Sequence, residues 1–124
     1  MLEKIEACVL PVASVHASLS FYQELLGLEV VDESPDAAIL KAGEQEIVLL
    51  SLAAAEREPK FAGAIPGGAV AIHLRVTDPD GLWERIRRAA RILEPLGDRE
   101  YGDRDFTVLD PDGYRLVLGR ALHA

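Results

Sequence analysis

Cysteine is nearly absent from this chain: Cys8 is the only one among 124 residues, so no internal disulfide can form and nothing calls for an oxidising compartment. Cys8 lies in a strand-like run between Ala7 and Val9, without the base and electropositive setting that a nucleophilic thiol requires, and reads as a structural thiol. Basic residues are also scarce, with 13 Lys and Arg against 21 Asp and Glu and a formal charge of -8. Proteins hold nucleic acid by replacing phosphate counterions with Lys and Arg, so nucleic acid is not an expected partner. The same acidity disfavours anionic membranes and, if anything, would attract cationic small molecules. Long apolar runs are missing too. The stretch Ala7 to Val15 is broken by Pro11 and Ser14 and preceded by Glu3, Lys4 and Glu6, so neither a signal peptide nor a membrane span is expected, and a cytoplasmic location is. No Gly-rich phosphate loop, G-x-S-x-G elbow or CxxC pair occurs.

What is present is a globular balance, 49% hydrophobic and 27% charged, enough for one core of ordinary size in a single domain. The patterning repeats. Ile5 to Val12 reads as a buried strand, Ser14 as a helix N-cap, and Val15, Leu19, Tyr22, Leu25 and Leu26 as an apolar helical stripe that stops at Gly27. Ala37 to Lys41 and Glu46 to Leu52 form a hairpin around Ala42 to Gln45. After a loop-like stretch with Pro59, Pro66, Gly67 and Gly68, the order returns: strand Ala69 to Val76, Asp78 capping a helix with Pro79 at its first turn, and an inner stripe of Leu82, Ile86, Ala89 and Ala90. Leu93 starts a short extended piece, Gly97 to Asp105 reads as a loop, and Phe106 to Leu109 pairs with Tyr114 to Leu118 around a tight Asp110-Pro111-Asp112-Gly113 turn. Leu10, Val12 and Ser14 match Leu74, Val76 and Asp78 at one shift, and Ile39 to Ile47 and Val108 to Leu116 are equally spaced. Two βαβββ modules, residues 1–52 and 69–124 joined by a 53–68 linker, account for both regularities, and the fold class is α+β.

The ordered set Leu10-Pro11-Val12, Ser18-Leu19-Ser20-Phe21-Tyr22, Leu26-Gly27-Leu28, His73-Leu74-Arg75-Val76, Tyr101 to Phe106 and Asp110 to Tyr114 resembles the vicinal oxygen chelate superfamily, which includes glyoxalase I, extradiol dioxygenases and bleomycin-resistance proteins. The resemblance implies two curled mixed sheets forming an open cup. It also implies a homodimer, because family members of this length commonly complete their cups across a twofold axis.

Enzymes of that family hold a divalent metal with His and Glu from the first and last strands of each module. Carried over, the His positions fall on Ala7 and Ala71 and the carboxylate positions on Val48 and Val117. None of these side chains offers a donor atom. No metal, no cofactor and no catalytic residue are therefore expected, and the chain resembles the metal-free bleomycin-resistance group. His73 follows Ala71 by two and Arg75 by four, so both share its strand face and would point into the cup. Tyr101 and Phe61 lie in loops where a rim aromatic stacks on a planar ligand. The expected ligand-binding set is Val9, Val48, Phe61, His73, Arg75, Tyr101, Phe106 and Val117, and the expected partner is a small organic molecule, a drug or natural product. The competing class is an isomerase, lyase or dioxygenase using non-family ligands such as His73 and Glu46. Arg85, Arg87, Arg88 and Arg91 read as a solvated helix face, and His16 and His123 as solvated residues.

Overall fold

The computed structural model describes residues 1–123 and separates into two compact units, Met1–Pro66 and Gly67–Ala124. The division falls inside the expected linker. In the first unit, β1 (Ala7–Val12) leads into α1 (Val15–Ser20), which runs on into a π-helical turn at Phe21–Leu25. Then come β2 (Glu29–Glu33), β3 (Ala37–Ala42), β4 (Gln45–Ser51) and the short α2 (Leu52–Glu56). The second unit holds β5 (Ala71–Arg75), α3 (Pro79–Ile86), β6 (Arg91–Asp98), β7 (Asp103–Leu109) and β8 (Arg115–Ala121). Each unit builds one four-stranded mixed sheet, in the orders β1-β4-β3-β2 and β5-β8-β7-β6, with the first and last strands parallel and the rest antiparallel. This is the expected βαβββ module, twice. Among the described residues no helix is long and apolar enough to cross a membrane.

Local chemistry sets the helix starts as expected. The Ser14 hydroxyl accepts from the Ala17 N–H at 3.1 Å and Asp78 accepts from the Gly81 N–H at 3.0 Å, each satisfying a donor that the first turn leaves open. The closing turn is fastened by Asp110, whose Oδ1 accepts the N–H groups of Asp112 and Tyr114, both at 2.9 Å.

Strand alternation then decides what is buried. In the first unit Leu10, Val12, Ala38, Leu40, Ile47 and Leu49 form the buried face, joined by Val15, Leu19 and Tyr22. In the second, Phe106, Val108, Leu116 and Leu118 pack with Ile86 of α3.

Six expectations need correction. The 53–68 linker is not all loop, since α2 occupies its start with the Ser51 hydroxyl as cap, and β7 begins at Asp103, inside the expected Gly97 to Asp105 loop. The sequence reading assigns no element to β2: Glu29, Asp32 and Glu33 obscure its strand pattern, yet an edge strand tolerates charge on most of its positions. β6 is eight residues long although it contains Pro95 and Gly97, because it too is an edge strand, and its register slips at Ile92/Glu94 and Glu94/Gly97. Ala89 and Ala90 lie beyond the end of α3 in a turn, so they do not extend its inner stripe. Ile39 and Ile47 are not the counterparts of Val108 and Leu116: Leu40 pairs with Ile47 as Val108 pairs with Leu116, the second turn being one residue longer.

Candidate functional site

The two sheets share one register. Val9 pairs with Val48 as His73 pairs with Val117, and Ala7 pairs with Glu46 as Ala71 pairs with Arg115. The faces turned away from the cores of the two units can therefore be compared position by position. In the first unit this far face carries Val9, Ala37, Ile39, Val48 and Leu50. The counterparts in the second are His73, Asp105, Thr107, Val117 and Gly119. At these rows an apolar set in one unit is a more polar one in the other.

The polar cluster is assembled across β8. Arg75, Gly119 and Asp105 form one row across β5, β8 and β7, while Asp103 pairs with Ala121 one row on. Because Gly119 and Ala121 project so little over β8, side chains from β5 and β7 meet above them. Arg75 Nη1 donates to Asp103 Oδ2 at 2.8 Å, with the Arg75 side chain 67% and the Asp103 side chain 12% exposed. The Asp105 carboxylate is fully buried, which is tolerable only because it is paired and hydrogen-bonded. Arg99 Nε donates to its Oδ1 at 2.8 Å, Arg99 Nη2 donates to its backbone carbonyl at 2.9 Å, and the Tyr101 hydroxyl donates to its Oδ2.

Arg99 and Tyr101 thus tie the Arg99–Gly102 turn onto β7. Burial of the hydroxyl end, and then the bond to Asp105, push the Tyr101 phenol up to about 12, because both favour the neutral form. The bond to Asp105 likewise pushes the Arg99 guanidinium up. The residue as a whole is 61% exposed, so the ring is presented outward while its hydroxyl is anchored. The His73 ring stands beside it, with centroids 6.2 Å apart and planes at 71°. Between Asp103 and Asp105, Arg104 points to the other side and forks onto Asp80 at 2.8 and 2.9 Å and onto Asp98 at 2.9 Å.

Of the sequence-predicted residues, the structure brings together His73, Arg75 and Tyr101, with Val117 beside His73. Val9 and Val48 are partners in the first unit, where Phe61 also lies, in the turn after α2 with its ring 5.5 Å from Lys60 Nζ. Phe106 does not join the cluster. It is on the opposite face of β7, fully buried, with its ring 5.2 Å from that of Trp83. Glu46 pairs with Ala7 in the first unit, and the carboxylates near His73 in its own unit are Asp103 and Asp105. Those two, with Arg99 and Gly119, are what sequence reasoning missed. The alternation Asp103, Asp105 and a glycine inside a strand were the available signals.

Whether these residues suit a metal is decided by their donors. At the family positions Ala7, Val48, Ala71 and Val117 there is none. A nitrogen of His73 and an oxygen of each of Asp103 and Asp105 lie within 4.8 Å of one another. Yet Asp103 already neutralises Arg75, and both Asp105 oxygens are engaged. A divalent ion there would have to displace guanidinium groups, so this donor set does not fit one.

Residues 4–118 match the Glyoxalase/Bleomycin resistance protein/Dioxygenase superfamily. A Bleomycin resistance protein from Geobacillus stearothermophilus is 31% identical over 123 residues, covering 90% of this chain and 91% of that one, and a namesake from Staphylococcus aureus matches equally. Among solved structures, a glyoxalase-related enzyme from Fulvimarina pelagi superimposes with a TM-score of 0.84 at 22% identity, covering 95% of this chain and 88% of that one. A Lactoylglutathione lyase from Agrobacterium tumefaciens does so with 0.77 at 19%, covering 96% and 94%.

Proposed function

This chain belongs to the Glyoxalase/Bleomycin resistance protein/Dioxygenase superfamily, and within it we propose that the protein is a metal-free binding protein that sequesters a small organic molecule, a drug or natural product, as antibiotic-resistance proteins do. The observation that carries this reading is the donor chemistry at the four family ligand positions. The side chains of Ala7, Val48, Ala71 and Val117 offer no donor atom for a metal, which argues against the Lewis acid that the family's enzymes rely on. The relatives named Bleomycin resistance protein, matched across 90% of the chain, support sequestration over chemistry. On the second unit's far face His73, Arg75 and Tyr101 supply the polar and aromatic contacts, and Val117, beside His73, an apolar one. The working unit is a cytoplasmic homodimer that needs no cofactor.

The test is metal analysis of protein purified without chelator, followed by a thermal-shift screen of drugs and natural products that includes bleomycin. A ligand at 100 times its dissociation constant adds about 2.7 kcal/mol of stability. A stabilising compound in metal-free protein supports the proposal. Stoichiometric zinc, iron, manganese or nickel would contradict it.

A further inference from the structure

We propose that the far face of the second sheet takes its ligand as an oxyanion, a carboxylate on a planar ring, received by Arg75 and His73 and flanked by Tyr101. This deepens the small-molecule reading above and rests on it.

The chain is acidic as a whole, at -8. On the far face of β5 and β8, however, the side chains are Ala71, His73, Arg75, Arg115, Val117 and Gly119, two guanidinium groups and an imidazole with no carboxylate among them. The carboxylates of β7 each bring an oxygen within 4.8 Å of a His73 nitrogen but are already used: Asp105 is fully buried on Arg99 and Tyr101, and Asp103 is held by Arg75. Two exposed acids lie nearby: Glu94 on β6, beside Arg99 at 3.4 Å and three strand spacings, about 14 Å, from β5, and Glu100, the neighbour of Tyr101 in the turn.

The donors are in surplus. Arg75 spends one N–H on Asp103 and, among the described residues, has no other partner, which leaves most of its five donors for a ligand. His73 has the Tyr101 ring as its neighbour and no hydrogen bond among the described residues. Asp103 fixes where the Arg75 fork stands, so little rotamer freedom is lost when a carboxylate arrives. Tyr101 provides the ring contact: its hydroxyl is anchored to Asp105 while its ring is exposed, a fixed aromatic surface beside two oxyanion donors.

The experiment titrates labelled protein with benzoate, benzamide, benzamidine and inorganic phosphate at equal millimolar concentrations. Ring signals of His73 and Tyr101 are followed by NMR, with His73 distinguished from His16 and His123 by the His73→Gln spectrum. Benzoate is expected to move both rings saturably, the other three much less, and Arg75→Gln to weaken benzoate at least tenfold. Arg75 is mostly exposed, so the variant's unchanged core signals verify its fold. Benzamide or benzamidine matching benzoate would overturn the oxyanion assignment while leaving a small-molecule site in place. Phosphate matching benzoate would overturn the role of the ring. Silence from all four probes would remove the oxyanion assignment and the assignment of ligand binding to this face.

Discussion

Gly119 on β8 stands directly across from Asp105 on β7, and a Cβ at Gly119 would fall 2.4 Å from the Asp105 Cβ and 2.7 Å from the Arg104 carbonyl oxygen. Its counterpart in the first sheet is Leu50, which faces Ala37, so the large and the small residue have exchanged strands. The missing side chain at Gly119 is what gives Asp105, and through it Arg99 and Tyr101, a place.

Gly119→Ala should therefore cost about 1–3 kcal/mol, the usual range for overpacking against atoms that cannot yield, and should loosen the Arg99–Gly102 turn. Urea denaturation reads the first effect and the Tyr101 ring signals the second. Wild-type stability in this variant would show that β7 and β8 separate freely at this row.

Tyr101 should titrate near 12, above the ordinary phenol value of about 10. Its folded pKa is raised, so the associated stability is fully present below about pH 10 and is lost as pH rises from there through about 12. Ultraviolet difference titration of wild type against Tyr101→Phe isolates this phenol from Tyr22 and Tyr114. Asp105→Asn should bring the midpoint down, since a carboxylate acceptor favours the protonated phenol. A Tyr101 midpoint at 10 in the wild type would mean that the hydroxyl is not held by Asp105.

Phe106 and His73 should separate stability from binding. Phe106→Ala removes a fully buried ring that packs on Trp83 and should cost about 3–5 kcal/mol. His73→Ala changes an exposed side chain and should leave folding within about 0.5 kcal/mol, Arg75→Ala leaves the Asp103 carboxylate without its partner and should cost about 1–3 kcal/mol, and both should weaken the ligand roughly ten- to a hundredfold. Chemical denaturation and calorimetric titration of the three variants give both numbers. Unchanged affinity in both His73→Ala and Arg75→Ala would show that ligand binds elsewhere.

The protein is proposed to be a homodimer and should then sediment at twice 13.5 kDa at micromolar concentration. A mass near 13.5 kDa with ligand binding intact would mean that one chain suffices.

Much of this fold was legible in the sequence because periodicity and caps act locally. Ser14 and Asp78 start helices by bonds to residues three further on, and the repeat of Leu10 and Val12 at Leu74 and Val76 marks both first strands. β2 and β6 were hard to read because edge strands admit the charges, Pro95 and Gly97 that elsewhere signal loops. At the site, His73 and Arg75 could be placed because they share strand parity with Ala71. Phe106 was assigned with the cup residues although its parity is that of Val108, on the buried face. Asp103, Asp105 and Arg99 went unnoticed because their meeting depends on pairing between strands distant in sequence and on the space above Gly119, which no local pattern encodes.

Chelator-treated protein titrated with the compound found by the thermal-shift screen tests the central claim most directly, with bound metal measured in the same sample. The account predicts full affinity at negligible metal content, and loss of that affinity in a variant combining His73→Ala and Arg75→Ala. Affinity that appears only after stoichiometric metal is restored would contradict it.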